Sequence, residues 1–382
     1  MAALVLKKDR ERSVLHRHPW IFSGGVHRVD DVPAGSIVTV QSHDGAVLGA
    51  GFYDPAHQIR CRLFHFGPLP ASGFDEAYWT ARLEKALLLR RALLPEKTTG
   101  FRLIHSESDG FPGLICDIYD RAAVLQIQHE GARSLLQIVA SFLKARLSIH
   151  TLRVDDAWHV DGGEPVKLVE FVEFVERGLR FKADLEGGQK TGFFLDQREN
   201  RRVVEERVAG RTVLNAFAYT GGFSAAALRG GARSVLSVDL SDPALLLCEE
   251  NVRLNAADAK HETLKADCFD YLREIEAGRF DAIILDPPAF AKTRSAVDRA
   301  ARGYKDINLQ AMKKIAPGGL LFTFSCSQHI STDLFRKILF AAATDAGRDV
   351  KIVDFLTQAP DHPISIYHPE GEYLKGCTLF VE

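Results

Sequence analysis

The sequence predicts an α/β protein whose C-terminal half is an open, doubly wound sheet of seven strands, preceded by a small β-barrel and an α+β segment. Three observations carry this. Strand and helix patterns alternate from about residue 210 onward, as in a parallel sheet. Before about residue 70 the chain reads as short strand-like runs separated by turns, and strand, strand, helix, strand follows in between. With 382 residues, 46% of them apolar and 26% charged, the composition is that of globular protein and the length that of two or three domains. The divisions fall at 1–72, 73–185 and 186–382.

In the first segment Gly35–Val40 and Val47–Tyr53 are β-type runs, with Asp44-Gly45 between them as a hairpin signal. Ile59–Phe64 alternates apolar and polar residues, the period of a half-buried strand. The middle segment predicts a helix over Asp75–Leu94 closed by Pro95, then strands at Phe101–Glu107, Gly113–Tyr119 and Ala123–Gln128. A helix over Ala132–Arg146 and strand-like runs at Thr151–Asp155 and Val166–Val175 complete it. Strands of the third segment are expected at Thr212–Phe217, Ser234–Asp239, Glu262–Ala266, Phe280–Leu285, Leu320–Ser325, Lys351–Phe355 and Thr378–Val381. The helix after Asp239 takes Asp242 as N-cap with Pro243 at its first position. The last two strands, close in sequence, predict an antiparallel edge strand.

Net charge is −2, so nucleic-acid binding must come from local patches rather than bulk electrostatics. One such patch opens the chain: Lys7, Lys8, Arg10, Arg12, Arg17 and Arg28 against Asp9 and Glu11. The six cysteines form no CxxC pair and no Cys/His cluster at zinc spacing, so no metal is expected and a reducing, cytoplasmic setting is. No apolar run approaches the roughly 20 residues that cross a bilayer, and no membrane association is predicted.

Chemistry-bearing residues gather at the C-terminal ends of the third segment's strands, where ligands bind in open α/β sheets. The first strand runs into a turn through Thr220, Gly221 and Gly222 that is not G-x-G-x-x-G, which argues against a dinucleotide. Asn215, Phe217, Tyr219, Thr220, Gly221 and Phe223 around that turn are candidate cofactor contacts. Asp239, followed by Leu240, ends the second strand, where a carboxylate accepts ribose hydroxyls. Asp267, followed by Cys268, ends the third, where an acid meets an adenine amino group. Taken singly, Gly-Gly is as readily a turn and each Asp a helix cap. The ordered set of three points to an adenosine-bearing cofactor.

Strand four ends in Asp286-Pro287-Pro288-Ala289-Phe290, a rigid turn that holds an acid at the strand tip and resembles the nucleobase-methyltransferase motif. Strand five ends in Ser325-Cys326-Ser327-Gln328-His329. Neighbouring strands lie about 4.8 Å apart, so adjacency of these two brings Asp286 and Cys326 to one crevice. Methylation of a pyrimidine at carbon 5 needs that pair. A thiolate adds at carbon 6, an acid binds the ring at N3, and carbon 5 becomes nucleophilic. Ser327, Gln328 or a water then takes the carbon-5 proton. A cysteine drawn at random is a buried hydrophobe far more often than a nucleophile; the position of Cys326, between two serines at the ligand edge, reverses that preference.

Over nearly its whole length the chain resembles the large-subunit (23S) ribosomal RNA cytosine-5 methyltransferases of the methyltransferase I type. The resemblance rests on Arg17–Gly24, Asp109–Leu114, Lys190–Arg198 with Asn200-Arg201, Asp286–Phe290, Gly303-Tyr304-Lys305 and Ser325-Cys326-Ser327. It implies a PUA-like N-terminal barrel, a Rossmann-like class I methyltransferase domain, S-adenosyl-L-methionine as cofactor and ribosomal RNA or an assembling large subunit as partner. It also implies Cys326 as nucleophile, with Asp286 beside it in both the catalytic and the cofactor site. Asp196, Gln197 and Arg198 would help to close the cofactor pocket. Read physically, Gln197, Arg198, Arg201 and Arg202 are equally a solvated helix start or a phosphate-binding face. Many related cytosine-5 enzymes carry a second cysteine where this chain has Pro288 and Ala289. Candidate RNA contacts are Lys7, Lys8, Arg10, Arg17, Trp20, Lys292 and Tyr304, with Trp20 or Phe22 available for stacking unless they are core. A homodimer is compatible with this reading. Two others stand beside it: a guanine N-methyltransferase in which Cys326 is incidental, and a non-catalytic RNA-binding assembly factor.

Overall fold

The computed structural model describes residues 1–154, 157–160, 165–166 and 171–382. They form two compact units. The first comprises 1–172, 184–192 and 360–371; the second comprises 173–183, 193–359 and 372–382.

The first unit begins with a six-stranded sheet built from β1 (Ala2–Leu6), β2 (Trp20–Phe22), β3 (Val26–Val29), β4 (Ile37–Gln41), β5 (Val47–Tyr53) and β6 (Ile59–Phe66), in the order β2-β6-β5-β4-β1-β3. A short α1 (Arg12–Leu15) joins the first two strands. The Asp44-Gly45 signal becomes the β4–β5 hairpin, where Gly45 takes a φ of 87° that a side chain would resist. Alternating apolar residues turn inward, among them Leu4, Leu6, Ile21, Val38, Val40 and Leu63.

The helix expected over residues 75–94 is α2 (Glu76–Leu93), capped by Asp75, whose carboxylate accepts from the Tyr78 amide at 2.9 Å. Strands β7 (Gly100–His105), β8 (Leu114–Tyr119), β9 (Ala122–Ile127), β10 (Thr151–Val154), β11 (Ala157–Val160) and β12 (Pro165–Val166) form a second six-stranded sheet. The helix expected over Ala132–Arg146 is interrupted, with α3 (Glu130–Arg133) preceding α4 (Leu136–Leu147). Of the two expected strand-like runs, residue 155 of the first and residues 167–170 of the second lie outside the described residues. Phe52 and Phe64 of the first sheet share a core with Trp79 and Phe111. Two buried ion pairs reinforce it: Arg90 with Asp109, and Arg102 with Asp117.

The second unit takes most of the hairpin β13 (Phe171–Glu176) and β14 (Leu179–Asp184), followed by α5 (Arg198–Arg207). Then come β15 (Thr212–Ala216), α6 (Gly222–Arg229), β16 (Ser234–Asp239), α7 (Asp242–Arg253), β17 (His261–Lys265), α8 (Cys268–Glu274) and β18 (Ala282–Leu285). The chain closes with α9 (Val297–Lys314), β19 (Gly319–Ser325), α10 (Thr332–Ala346), β20 (Val350–Thr357) and β21 (Lys375–Val381). The seven strands lie in the order β17-β16-β15-β18-β19-β21-β20, so the chain reverses direction across the sheet between β15 and β18. That reversal opens a crevice at their C-terminal ends.

Two local expectations are corrected. The antiparallel strand is not at the edge: β21 inserts between β19 and β20. Burial decides the placement, since Gly376–Leu379 are buried along β21 whereas β20 exposes Lys351, Ile352 and Val353. The cap of α7 is Ser241, one residue before Asp242, and its hydroxyl accepts from the Ala244 amide.

The start of α5 is held by a buried charge cluster. Arg201 donates to both oxygens of Glu176 at 2.6 Å, and Arg198 lies 3.7 Å from the same carboxylate. Glu176, Arg198 and Arg201 are 2%, 1% and 3% exposed, so these arginines are neither a solvated helix start nor a phosphate-binding face. Arg201 also donates to the Phe194 carbonyl and lies over the Phe193 ring, anchoring the segment before α5. Removing one partner of a buried pair strands the other charge at a loss of about 3–5 kcal/mol. Arg201→Met should therefore lower stability by about that amount in urea unfolding; an unchanged midpoint would contradict the buried pair.

Candidate functional site

The sheet register sets the site. Parallel pairing of β18 with β19 matches Leu285 to Thr323, so Asp286 and Cys326 leave the same sheet edge from neighbouring strands. The Cys326 thiol reaches the Pro287 carbonyl, Sγ to O 3.8 Å, at the turn that follows Asp286. Of the six cysteines Cys326 alone is partly exposed; the others are buried.

Asp286 is oriented from below. The Gln197 side-chain amide donates to Asp286 Oδ1 at 2.8 Å, and Asn200 in turn donates to Gln197 Oε1 at 2.6 Å. Asp196 accepts from the Tyr373 hydroxyl at 2.7 Å. Asp196, Gln197 and Arg198 are therefore buried: the first two brace the strand edge and Arg198 faces Glu176.

The turn from β15 into α6 carries backbone strain. Phe217 and Tyr219 take φ of 62° and 46°, a region that bulky residues avoid and that concentrates at ligand sites. Asp239 pins this turn, accepting from the Tyr219 amide at 2.9 Å and from Ser241 at 3.0 Å, one bond per oxygen. A carboxylate has further lone pairs, so Asp239 can still take hydroxyl donors. Among the described residues, Asn215 Oδ1 and Thr220 Oγ1 are buried here without a hydrogen-bond partner. Strained backbone, spare acceptors and an acid at the next strand tip suit a polar, adenosine-bearing ligand.

Other expected contacts read differently. Gly221 also serves packing: a Cβ there would meet Cys248 Sγ of α7 at 2.4 Å. Asp267 caps α8, accepting from Phe269 at 2.7 Å, with Oδ2 not engaged in that bond. Cys268 is buried, accepts from the Phe217 amide and donates to the Val238 carbonyl, tying three strand tips together. Phe223 is buried and stacks on Phe324, whereas Leu240 is 60% exposed at the rim.

The Cys326 loop has its own support. Ser327 is buried and its Oγ accepts from the Ala291 amide at 3.1 Å and meets the Tyr304 hydroxyl at 2.9 Å. Tyr304 is 0% exposed, which corrects its reading as an RNA contact: it braces the loop. Ser327, so engaged, is also a poor acceptor for a substrate proton. Lys375, absent from the sequence-based candidates, donates to the Ser327 and Ile330 carbonyls. Its only sequence signal is a lysine opening a buried strand.

Of the remaining RNA candidates, Lys292 is exposed in the second unit, and Lys7, Lys8, Arg10 and Arg17 are exposed in the first. Arg17 lies over the Phe66 and Tyr367 rings. Trp20 is engaged by protein on both counts: its indole N–H donates to Glu107 at 2.7 Å and its ring packs on His368. Phe22, 49% exposed, is the more open aromatic surface.

Comparison with known proteins agrees with this geometry. Residues 130–367 match the family model for S-adenosylmethionine-dependent methyltransferase, and residues 4–66 match that for a PUA-like domain. The chain is 41% identical over 394 residues to the ribosomal RNA large subunit methyltransferase I of Klebsiella pneumoniae (strain 342), covering 99% of this chain and 98% of that protein. It is 42% identical over 394 residues to the enzyme of that name from Alteromonas mediterranea, covering 100% and 99%. A methyltransferase-type structure solved as a complex with SAH shares the fold at a TM-score of 0.84 and 21% identity, with full coverage of both chains.

Burial pushes the Cys248 and Cys268 thiols up to about 12 and Cys377 to about 11, and raises Cys61 and Cys116 further. Native protein treated with iodoacetamide near pH 8 should therefore carry one label, on Cys326, since thiolates are the reacting form. Peptide mapping checks this, and equal labelling of any other cysteine would contradict the described burial.

Proposed function

Because the chain belongs to the S-adenosylmethionine-dependent methyltransferases, and within them to the ribosomal RNA large subunit methyltransferase I family, we propose that it forms 5-methylcytidine in large-subunit ribosomal RNA through a covalent Cys326 adduct. The observation that carries the chemistry is the adjacency of Cys326 to the Asp286 turn across two paired strand tips. Methylation of an exocyclic or ring nitrogen needs no thiol at that place.

The cofactor is S-adenosyl-L-methionine, which supplies an electrophilic sulfonium methyl group for carbon 5. Asn215, Phe217, Tyr219 and Thr220 would shape its pocket, Asp239 would accept the ribose hydroxyls, and Asp267 Oδ2 would face the adenine. Cys326 adds as thiolate to carbon 6, while Asp286, held by Gln197 and acting as the carboxylic acid, gives a proton to N3 and takes it back when the adduct collapses. Carbon 5 then carries the electron pair that would form the new carbon–methyl bond as the sulfur–methyl bond breaks and its electron pair stays on sulfur. Loss of the carbon-5 proton to water restores the ring double bond and expels Cys326 with its electron pair. The substrate base must leave its stack to reach the thiol. The exposed cations Lys7, Lys8, Arg10, Arg17 and Lys292 would neutralise phosphates. In this reading residues 1–72 form the RNA-gripping barrel, 73–185 a middle domain and 186–382 the methyltransferase domain.

Labelled S-adenosylmethionine and unmodified ribosomal RNA, incubated with wild type or Cys326→Ala and digested to nucleosides, test this. Label should enter 5-methylcytidine and fall to background in the variant; label in a methylated guanosine, indifferent to the substitution, would overturn it. For the pocket, Asp239→Ala should weaken SAH binding in calorimetry about tenfold or more, the range of a lost charge-assisted hydrogen bond. Unchanged affinity would remove Asp239 from the cofactor site.

A further inference from the structure

We infer that Lys375 is a positioning residue for Cys326: from the adjoining strand its ammonium clamps the loop that carries the thiol and presents positive charge to the thiolate. The inference rests on reading Cys326 as the nucleophile, but its test needs neither RNA nor turnover.

The geometry begins with the ladder. Antiparallel pairing of β21 with β19 ends on Ser325 opposite Lys375, one residue before the thiol. Lys375 is buried, and its Nζ donates to the Ser327 carbonyl at 2.8 Å and the Ile330 carbonyl at 2.6 Å. These carbonyls belong to the first and fourth residues after Cys326, so the loop wraps around the amine. An ammonium has three N–H donors, and these bonds use two.

Burying a lysine without an anionic partner is unfavourable. Among the described residues no carboxylate lies within ion-pair distance of Lys375. Burial accordingly holds its pKa down to about 8, and the Cys326 thiolate, then Glu372, pull it back up. The pull is mutual: a charge that favours protonated lysine when the thiolate is present equally favours the thiolate when the lysine is protonated. The same loop meets Tyr304 from α9 at Ser327, and the Pro287 carbonyl next to Asp286 at Cys326 itself. Burial raises the Tyr304 pKa and the Cys326 charge adds to that rise, so the phenol stays neutral. His329, on the same loop, is exposed. Lys375 is thus a buried cation coupled to this thiol. Its help is present while it is protonated, below about pH 8, and fades as pH rises through that value.

The test is the pH profile of Cys326 alkylation by iodoacetamide in the full chain, read by mass on the Cys326 peptide, for wild type, Lys375→Met and Lys375→Arg. SAH binding serves as the check on folding. In Lys375→Met the rate at pH 7 should fall about tenfold, with the midpoint moved to higher pH, and the rates should converge in alkali. Lys375→Arg should keep the wild-type midpoint. A profile unchanged in Lys375→Met, or scaled down equally at every pH, would overturn the electrostatic role. Should Lys375→Met not fold, wild type labelled with 13C at lysine Cε answers instead. Alkylating Cys326 removes its charge, and the Lys375 titration should then move to lower pH; no movement would overturn the proposal. Failure of methyl transfer to cytidine would sink the proposed reaction and leave this thiol–amine coupling to stand or fall by itself.

Discussion

The site depends on one piece of backbone pairing, the three-strand ladder of β18, β19 and β21. On one side β19 pairs parallel with β18, which sets Cys326 beside the Asp286 turn. On the other it pairs antiparallel with β21, which sets Lys375 opposite Ser325. Residues 286, 326 and 375 are remote in sequence and become neighbours through hydrogen bonds that no side chain has to make. A slip of one residue in either pairing would turn a reactive side chain to the opposite face of the sheet. Packing guards against that slip: β18 and β19 are buried along their whole length, so a shift would misfit side chains on both faces, among them Ile283, Leu285 and Leu321.

Much of this was legible in the residues, because the signals are local. Strand–helix alternation depends on period, and the Asp-Pro-Pro turn depends on the fixed geometry of proline. Both therefore survive without tertiary information. The order of the last two strands was not legible. Choosing between edge and interior needs the relative burial of two short strands, and Asp354 in one against Lys375 in the other looks balanced until the lysine is seen to turn onto carbonyls.

Charged residues were the least readable. Arg198, Arg201 and Arg202 look alike in sequence, yet two of them are buried around Glu176 and the third pairs at the surface with Glu199 and Glu206. The partner that separates them, Glu176, lies on a hairpin strand with no pattern linking it to α5. Tyr304 failed in the same way. The sequence offers it as an RNA contact, but its hydroxyl faces Ser327 inside the molecule. In both cases the residue type was informative and its direction was not.

The arrangement around Cys326 bears on whether this cysteine is incidental. A structural cysteine is ordinarily buried, and the other five in this chain are. Cys326 instead sits on a loop fixed by buried polar groups: the Tyr304 hydroxyl and the Ala291 amide on Ser327, and the Lys375 amine on two carbonyls. Buried polar networks of this kind are unfavourable unless fully satisfied, and an apolar core would hold the loop at lower cost. What an apolar core cannot do is hold a partly exposed thiol at one angle beside an acid with a cation behind it. Such a setting is the one that the covalent role proposed for Cys326 would require, since a thiol that adds to a ring carbon from one face and later leaves it has to be held in place yet stay accessible.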